Sequence, residues 1–358
     1  MIRDHGGNVG EIARRYGIDE DTILDFSANI NPLGYSPALK EAIIKNFDSI
    51  LNYPDMDSVD LVAGLSRYHD IEEDHIMVGN GSTEFMYSIP LAFKPKKALI
   101  VTPAFSEYEK GLRIAGADVT YFQTDETRKF SIDISFLCSR LGEGFDILYL
   151  CNPANPTGIL TPREQLLTLI ARAQEIGVLS VIDEAFIDFV EEESVKRAIL
   201  EFSNLIVLRS MTKFFGVPGL RIGYVMAALP RIATIKDKRI PWSVNALVQK
   251  AAVKALWDSH YIMKTRDYVC HERDVLRHAL HEISGLQAFE GAANFLFVSI
   301  DRSAGLTSTE LRNRLEPEGI LIRDCSNFVG LDDRYFRVAV KSHDQNMVLI
   351  EKLKGIIQ

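Results

Sequence analysis

The sequence predicts an α/β protein: a mostly parallel sheet with helices on both faces, plus a smaller α+β C-terminal domain. Three observations carry this. Between residues 76 and 227, short β-branched runs alternate with helical stretches. Several of those runs are continuously apolar, the pattern of strands buried on both faces. Past residue 240 the order changes to one long helical stretch, then strand-like runs interleaved with helices.

The elements follow in chain order. Residues 1–35 lack strong periodicity and are rich in Gly, Asn and Asp, which predicts an arm rather than a core element. Ser36 as N-cap and Pro37 in the first turn start a helix, with Ala38, Leu39, Ala42, Ile43, Phe47 and Ile50 at helical spacing. The turn Asn52-Tyr53-Pro54-Asp55 ends it. Strands are expected over 76–78, 98–101, 118–122, 147–151, 180–183, 205–209 and 222–227. A helical stretch covers about 243–283; strands follow over 294–300, 320–323 and 335–340, with helices near 307–317 and 343–356. The resulting division is an N-terminal arm (1–35), a large domain (36–240) and a small C-terminal domain (241–358).

Composition narrows the function classes. The 358 residues are 47% hydrophobic and 25% charged, enough apolar chain to build a core without disulfides or a structural metal. Forty Lys+Arg against forty-nine Asp+Glu leave a net charge of −9, which opposes a nucleic-acid partner. Cys138, Cys151, Cys270 and Cys325 are widely separated, so neither a zinc site nor a disulfide framework is expected. The N-terminus has no signal-peptide pattern, and no apolar run reaches the ~18 residues that span a bilayer. A cytoplasmic enzyme acting on a small molecule is the expectation.

Ligands of open α/β sheets bind outside the carboxyl ends of the strands, and the notable polar segments all fall there. Gly79-Asn80-Gly81-Ser82-Thr83-Glu84 follows a strand and opens a helix, whose N–H groups suit a phosphate. It is not a dinucleotide fingerprint, because Glu84 stands where the third glycine belongs. Asn152-Pro153-Ala154-Asn155-Pro156-Thr157-Gly158 follows the next apolar run but two, Asp183 ends the run after it, and Arg209-Ser210-Met211-Thr212-Lys213 follows the next, with Arg221 eight residues past the lysine. Singly, each is an ordinary cap, turn or strand end. Together they supply a phosphate cradle, an amide, a carboxylate, a lysine and an arginine. That set meets the needs of pyridoxal 5'-phosphate (PLP).

With these motifs the chain resembles the fold-type I PLP-dependent enzymes, the aspartate aminotransferase superfamily. The resemblance implies that Lys213 carries the cofactor, Asp183 pairs with its ring nitrogen and Asn155 bonds its ring oxygen. It implies that Ser210, Arg221 and the turn Gly81-Ser82-Thr83 hold the cofactor phosphate, that Phe105 stacks on the ring, and that Tyr53 reaches a partner's cofactor phosphate across a homodimer. Asp183-Glu184-Ala185-Phe186-Ile187-Asp188-Phe189 and Arg337-Val338-Ala339-Val340 resemble the histidinol-phosphate aminotransferase branch, which usually has Tyr where this chain has Phe186. His5-Gly6-Gly7-Asn8, the run Leu24 to Gly34, and Pro241-Trp242-Ser243-Val244-Asn245 are more similar to the threonine-phosphate decarboxylases. Membership there implies that phosphothreonine loses CO2 to give the aminopropanol phosphate used in cobalamin assembly. Arg337 would then bind the substrate carboxylate, and Arg323 with His5 and Gly6 the substrate phosphate, with Asn29 in the same wall. Transamination of histidinol phosphate or a related phosphorylated amine is the alternative.

Overall fold

The computed structural model describes residues 5–357. Among them thirteen strands form three sheets. β1 (Leu24–Asp25) belongs to the N-terminal arm. The large sheet is built from β2 (Ile76–Gly79), β3 (Lys97–Thr102), β4 (Asp118–Gln123), β5 (Ile147–Cys151), β6 (Leu179–Asp183), β7 (Leu205–Ser210) and β8 (Gly223–Ala227). β9 (Leu286–Ala288), β10 (Phe295–Ile300), β11 (Ile320–Leu321), β12 (Arg323–Asp324) and β13 (Tyr335–Ala339) follow.

The large sheet has the order β2-β8-β7-β6-β5-β3-β4. All its strands run parallel except β8, which is antiparallel to both neighbours. A parallel crossover needs a dozen or more residues, usually including a helix on one face. The link from β7 to β8 instead turns back through the four-residue helix Met211–Phe214 and a single tight turn. The consequence is positional: Gly223, at the start of β8, pairs with Ser210 at the end of β7 and with Gly79 at the end of β2. Arg221 therefore lies at the same sheet edge as Lys213 and the Gly81 turn.

The arm is more structured than its composition predicts. It contains the helix Val9–Tyr16 with Ile12 and Ala13 buried, and β1 pairs in parallel with β11. Phe26, fully buried, packs with Leu296 and Val338 in the core of the C-terminal part. An eight-residue helix and one apolar side chain in a polar run leave almost no periodic signal, so packing rather than propensity creates these elements.

Three further expectations change. The helix begun by Ser36 ends at Lys45, and Ile44, Phe47 and Ile50 face outward at 66%, 55% and 53% exposure. The stretch 243–283 is two helices, Ala246–Leu256 and Ser259–His281, the second capped by Asp258, which accepts from the Tyr261 N–H at 3.0 Å. Val248, Ala251, Ala252 and Ala255 join the apolar core under the large sheet, which thus continues past residue 240. The single strand expected over 320–323 is split: β11 pairs with β1, while β12 joins the antiparallel sheet β12-β13-β10-β9. No helix among the described residues is long and apolar enough to cross a membrane.

Candidate active site

The carboxyl edge of the large sheet opens into a cleft closed on its far side by the arm and by β12 and β13. At one end lies a tight anion cradle. A Cβ on Gly223 would sit 2.2 Å from the Ser82 amide nitrogen, and one on Gly81 (φ 74°) would sit 2.5 Å from an Arg221 Nη2. Only glycine lets the guanidinium lie flat on this turn. Arg221 adopts a left-handed φ of 54°, a strain of the kind that concentrates at functional sites. Ser82 and Thr83 open the helix Thr83–Phe93, and the Ser210 and Thr212 hydroxyls lie 2.8 Å apart across the cradle. Glu84 reaches back to accept from the Asn80 N–H at 2.6 Å. Its place in the motif is thereby explained: it braces the turn.

In the middle of the cleft Asp183 ends β6. Its Oδ2 accepts from the Tyr108 hydroxyl at 2.5 Å and its Oδ1 from the Ala185 N–H at 3.0 Å. Burial raises its pKa to about 6, against the bonds from Tyr108 and Ala185. A carboxylate this deep is stabilised as an anion by a cation placed against it, the role a protonated pyridine nitrogen fills. Lys213 opens onto the same cleft. Burial, then the charges of Arg337 and Arg221, lower its pKa to about 8, so a usable fraction of free amine exists near neutral pH. Phe105 and Asn155 also line the space.

The other end is cationic. Arg337, on β13, donates Nη1 to Asn155 Oδ1 at 2.5 Å and Nη2 to the Ser27 carbonyl at 2.7 Å. Burial and the nearby Arg323 lower its pKa to about 10, with Cys325 opposing. Arg323, on β12, is buried over the Phe328 ring at 4.8 Å and donates Nη2 to Asn327 at 2.9 Å. The neighbouring Asp324 carboxylate accepts from Ser308 at 2.8 Å, Thr309 at 2.7 Å and Arg312 Nη1 at 3.3 Å. Gly6 lies against Ser27, where a Cβ would meet the carbonyl oxygen at 2.4 Å. Among the described residues, nothing offers a hydrogen bond to the buried Asn29 Oδ1 or Arg337 Nε. A polar ligand bound here would satisfy them.

The fold gathers His5, Gly6, Asn29, Ser82, Thr83, Phe105, Asn155, Asp183, Ser210, Lys213, Arg221, Arg323 and Arg337 around this one cleft, with Gly81 directly behind Arg221. Tyr53 is not brought there. It is 84% exposed and packs on Trp242 at 5.2 Å between ring centroids. Phe186 presents no hydroxyl and meets Phe295 edge-on at 5.0 Å.

Sequence reasoning missed several contributors. Tyr108 bonds Asp183, Glu107 bonds His5 at 2.9 Å, and Thr212 faces Ser210. Arg209, fully buried, donates to Glu184 and Asp188 at 2.9 Å each. These two bonds tie the end of β7 to the segment after β6, holding Ser210 and Asp183 in register. The spacing of Glu107 and Tyr108 after Phe105 was a signal available in the sequence; their partners, distant along the chain, were not.

This fold and this arrangement of lysine, aspartate and anion cradle define a fold-type I PLP-dependent enzyme, and the chain belongs to the family described as aminotransferase class I and II, which matches residues 21–353. Among curated relatives within that family, two threonine-phosphate decarboxylases share 37–38% identity with this chain and histidinol-phosphate aminotransferases 28–30%. It is 38% identical to the threonine-phosphate decarboxylase of Salmonella typhimurium, over 99% of this chain and 96% of that one. The structure of L-threonine-O-3-phosphate decarboxylase from Porphyromonas gingivalis is 28% identical with a TM-score of 0.82, covering 92% of this chain and 98% of that one. The histidinol-phosphate aminotransferase of Clostridium acetobutylicum is 32% identical with a TM-score of 0.85, covering 93% and 99%. Backbone shape therefore does not separate the two reactions; side chains must.

Proposed function

We propose that this protein decarboxylates L-threonine O-3-phosphate to (R)-1-amino-2-propanol O-2-phosphate for cobalamin assembly, with PLP on Lys213. The observation that carries the reading is the pair of buried arginines, Arg323 and Arg337, closing the cleft opposite the cofactor cradle together with His5. A substrate with a phosphate at one end and a carboxylate at the other suits that spacing of cations. The 38% identity to a threonine-phosphate decarboxylase supports the same choice.

When bound, PLP supplies an electron sink for the bond broken at Cα. The remaining tasks fall to this chain. Ser82, Thr83, Ser210 and Arg221 hold the cofactor phosphate, Asp183 keeps the pyridine protonated, and Asn155 bonds the ring oxygen. Arg323, His5 and Gly6 hold the substrate phosphate, with Asn29 beside them. Arg337 orients the carboxylate, using the one guanidinium nitrogen that lacks a partner among the described residues. Two held ends leave the Cα rotamer little freedom, so the carboxylate rather than the hydrogen is placed for loss. The Cα–carboxylate bond breaks, CO2 leaves, and the released Lys213, protonated as ammonium, gives a proton to Cα.

The functional unit in this reading is a homodimer. Ile44, Phe47, Ile50, Leu51 and Tyr53 expose apolar surface on one short stretch of chain, and a second copy covering it brings Tyr53 to the partner's cofactor phosphate. The four free cysteines suit the reducing cytoplasm. The deciding assay supplies PLP and phosphothreonine with and without 2-oxoglutarate. CO2 release independent of the keto acid supports the proposal. Glutamate formation without CO2, with histidinol phosphate the better substrate, would replace it with the aminotransferase reading.

A further inference from the structure

The arm crosses from one side of the cleft to the other. It is rooted on the C-terminal part, where β1 pairs with β11 and Tyr16 and Arg15 reach Glu316 at 3.4 and 3.7 Å. Among the described residues, the far end of the arm meets the large sheet's side through His5 Nε2, 2.9 Å from Glu107 Oε1. The His5 ring also lies 5.2 Å from that of Phe105. Glu107 is a buried side chain at the start of the helix Glu107–Ile114, two residues past Phe105. Its Oε2 accepts a short hydrogen bond from Tyr87, and Oε1 also accepts from Lys110 at 2.8 Å. These bonds outweigh burial and lower its pKa, so it stands as a carboxylate fixed in place before His5 arrives.

We propose that Glu107 is a positioning residue for substrate phosphate: it clasps His5 through Nε2, closing the arm over the cleft and turning Nδ1 toward the anion held by Arg323. Glu107 itself lies outside the cleft lining, so it acts through the imidazole. The clasp and the phosphate reinforce one another. A phosphate oxygen on one ring nitrogen and the Glu107 carboxylate on the other hold the imidazole from both sides, and an unphosphorylated amino acid leaves only the second contact. The device thus makes arm closure depend on the phosphate and selects for phosphorylated substrate. It rests on the decarboxylase reading only for the identity of that substrate.

Two measurements test it. Amide hydrogen exchange in the substrate-free protein should be faster across residues 6–10 in Glu107→Gln and in His5→Ala than in the wild type. In a double-mutant cycle with the PLP-loaded enzyme, each single change should lower kcat/KM for phosphothreonine about 10- to 100-fold, the range of one hydrogen bond to a charged group, and more than for threonine. The double variant should lose little beyond either single one. Unchanged exchange in both variants, or losses that multiply, would overturn the clasp. A wild-type enzyme inert toward phosphothreonine would instead fail the decarboxylase reading, and the exchange experiment still decides whether Glu107 holds the arm.

Discussion

The two ends of the cleft are built by different means. At the cofactor end, the side chains from Ser82 to Lys213 follow strand ends of one sheet, Arg221 lies just before the start of β8 at the same edge, and the strand register sets their spacing. At the substrate end, the groups come from three places: His5 and Asn29 from the arm, Arg323 from a two-residue strand and Arg337 from its neighbour in a separate sheet. The first end is rigid because central strands make it. The second depends on a docked arm and on a separate antiparallel sheet, packed on the large-sheet part through Phe295 against Phe186 and through Phe297 and Tyr335 against Phe130. Chemistry common to a large family can reside in the rigid end, while the choice of substrate resides in the assembled one.

The sharpest break in this comparison is at Lys213. Lys213→Ala should cut turnover on the order of 10⁴-fold or more, whichever phosphorylated substrate is offered, since in the proposed mechanism it removes both the cofactor attachment and the proton donor. Borohydride trapping followed by peptide mapping should label Lys213; a label on another lysine would misplace the cofactor end. Arg323→Ala tests the other end. Removing a buried cation from an anion site costs about 2–5 kcal/mol, so kcat/KM for phosphothreonine should drop by roughly 30- to 5000-fold while PLP affinity stays near the wild-type value. Equal losses with threonine and phosphothreonine would dissolve the distinction between the ends.

A third experiment uses stability instead of rate. In the PLP-free protein the Asp183 pKa is raised to about 6, so the folded chain keeps a proton that the unfolded chain gives up near 4. The stability contributed by that proton is present below about 4 and is lost as pH rises through about 6. Lys213, lowered to about 8, has the opposite sign: the folded chain releases its proton first, and stability recovers as pH climbs from about 8 toward 10.5. Asp183→Asn should therefore remove the decline between pH 4 and 6 and stabilise the PLP-free protein at pH 7 by about 3 kcal/mol, read by denaturant melts. An unaltered pH–stability curve would show that Asp183 carries no such strain. PLP should reverse the ranking, because only the aspartate can pair with its ring nitrogen.

The smallest effect is expected at Tyr53. In the proposed dimer Tyr53 bonds the partner's cofactor phosphate, so Tyr53→Phe should weaken PLP binding by about 1.5–3 kcal/mol, the value of one hydrogen bond to a charged group, measured by cofactor titration. Light scattering should find a dimer in both forms. A monomer that binds PLP at full strength would mean that Tyr53 serves only its packing on Trp242.

Most of the cofactor end was legible from the sequence because it obeys local rules. Apolar runs end in Asp183 or in Arg209-Ser210, glycines mark the turn at Gly81, and strand ends of parallel sheets converge on one edge. The substrate end was legible only as a list of residues. Nothing local says that Phe26 is a core side chain, that residues 320–323 divide between two sheets, or that the Arg337 guanidinium spends two of its nitrogens on Asn155 and Ser27. Those facts depend on contacts between residues hundreds of positions apart, such as Arg337 with Ser27. Hydrophobic periodicity and turn chemistry encode what neighbouring residues do to one backbone. Only the closed tertiary structure decides which distant side chains meet, and therefore which substrate the cleft fits.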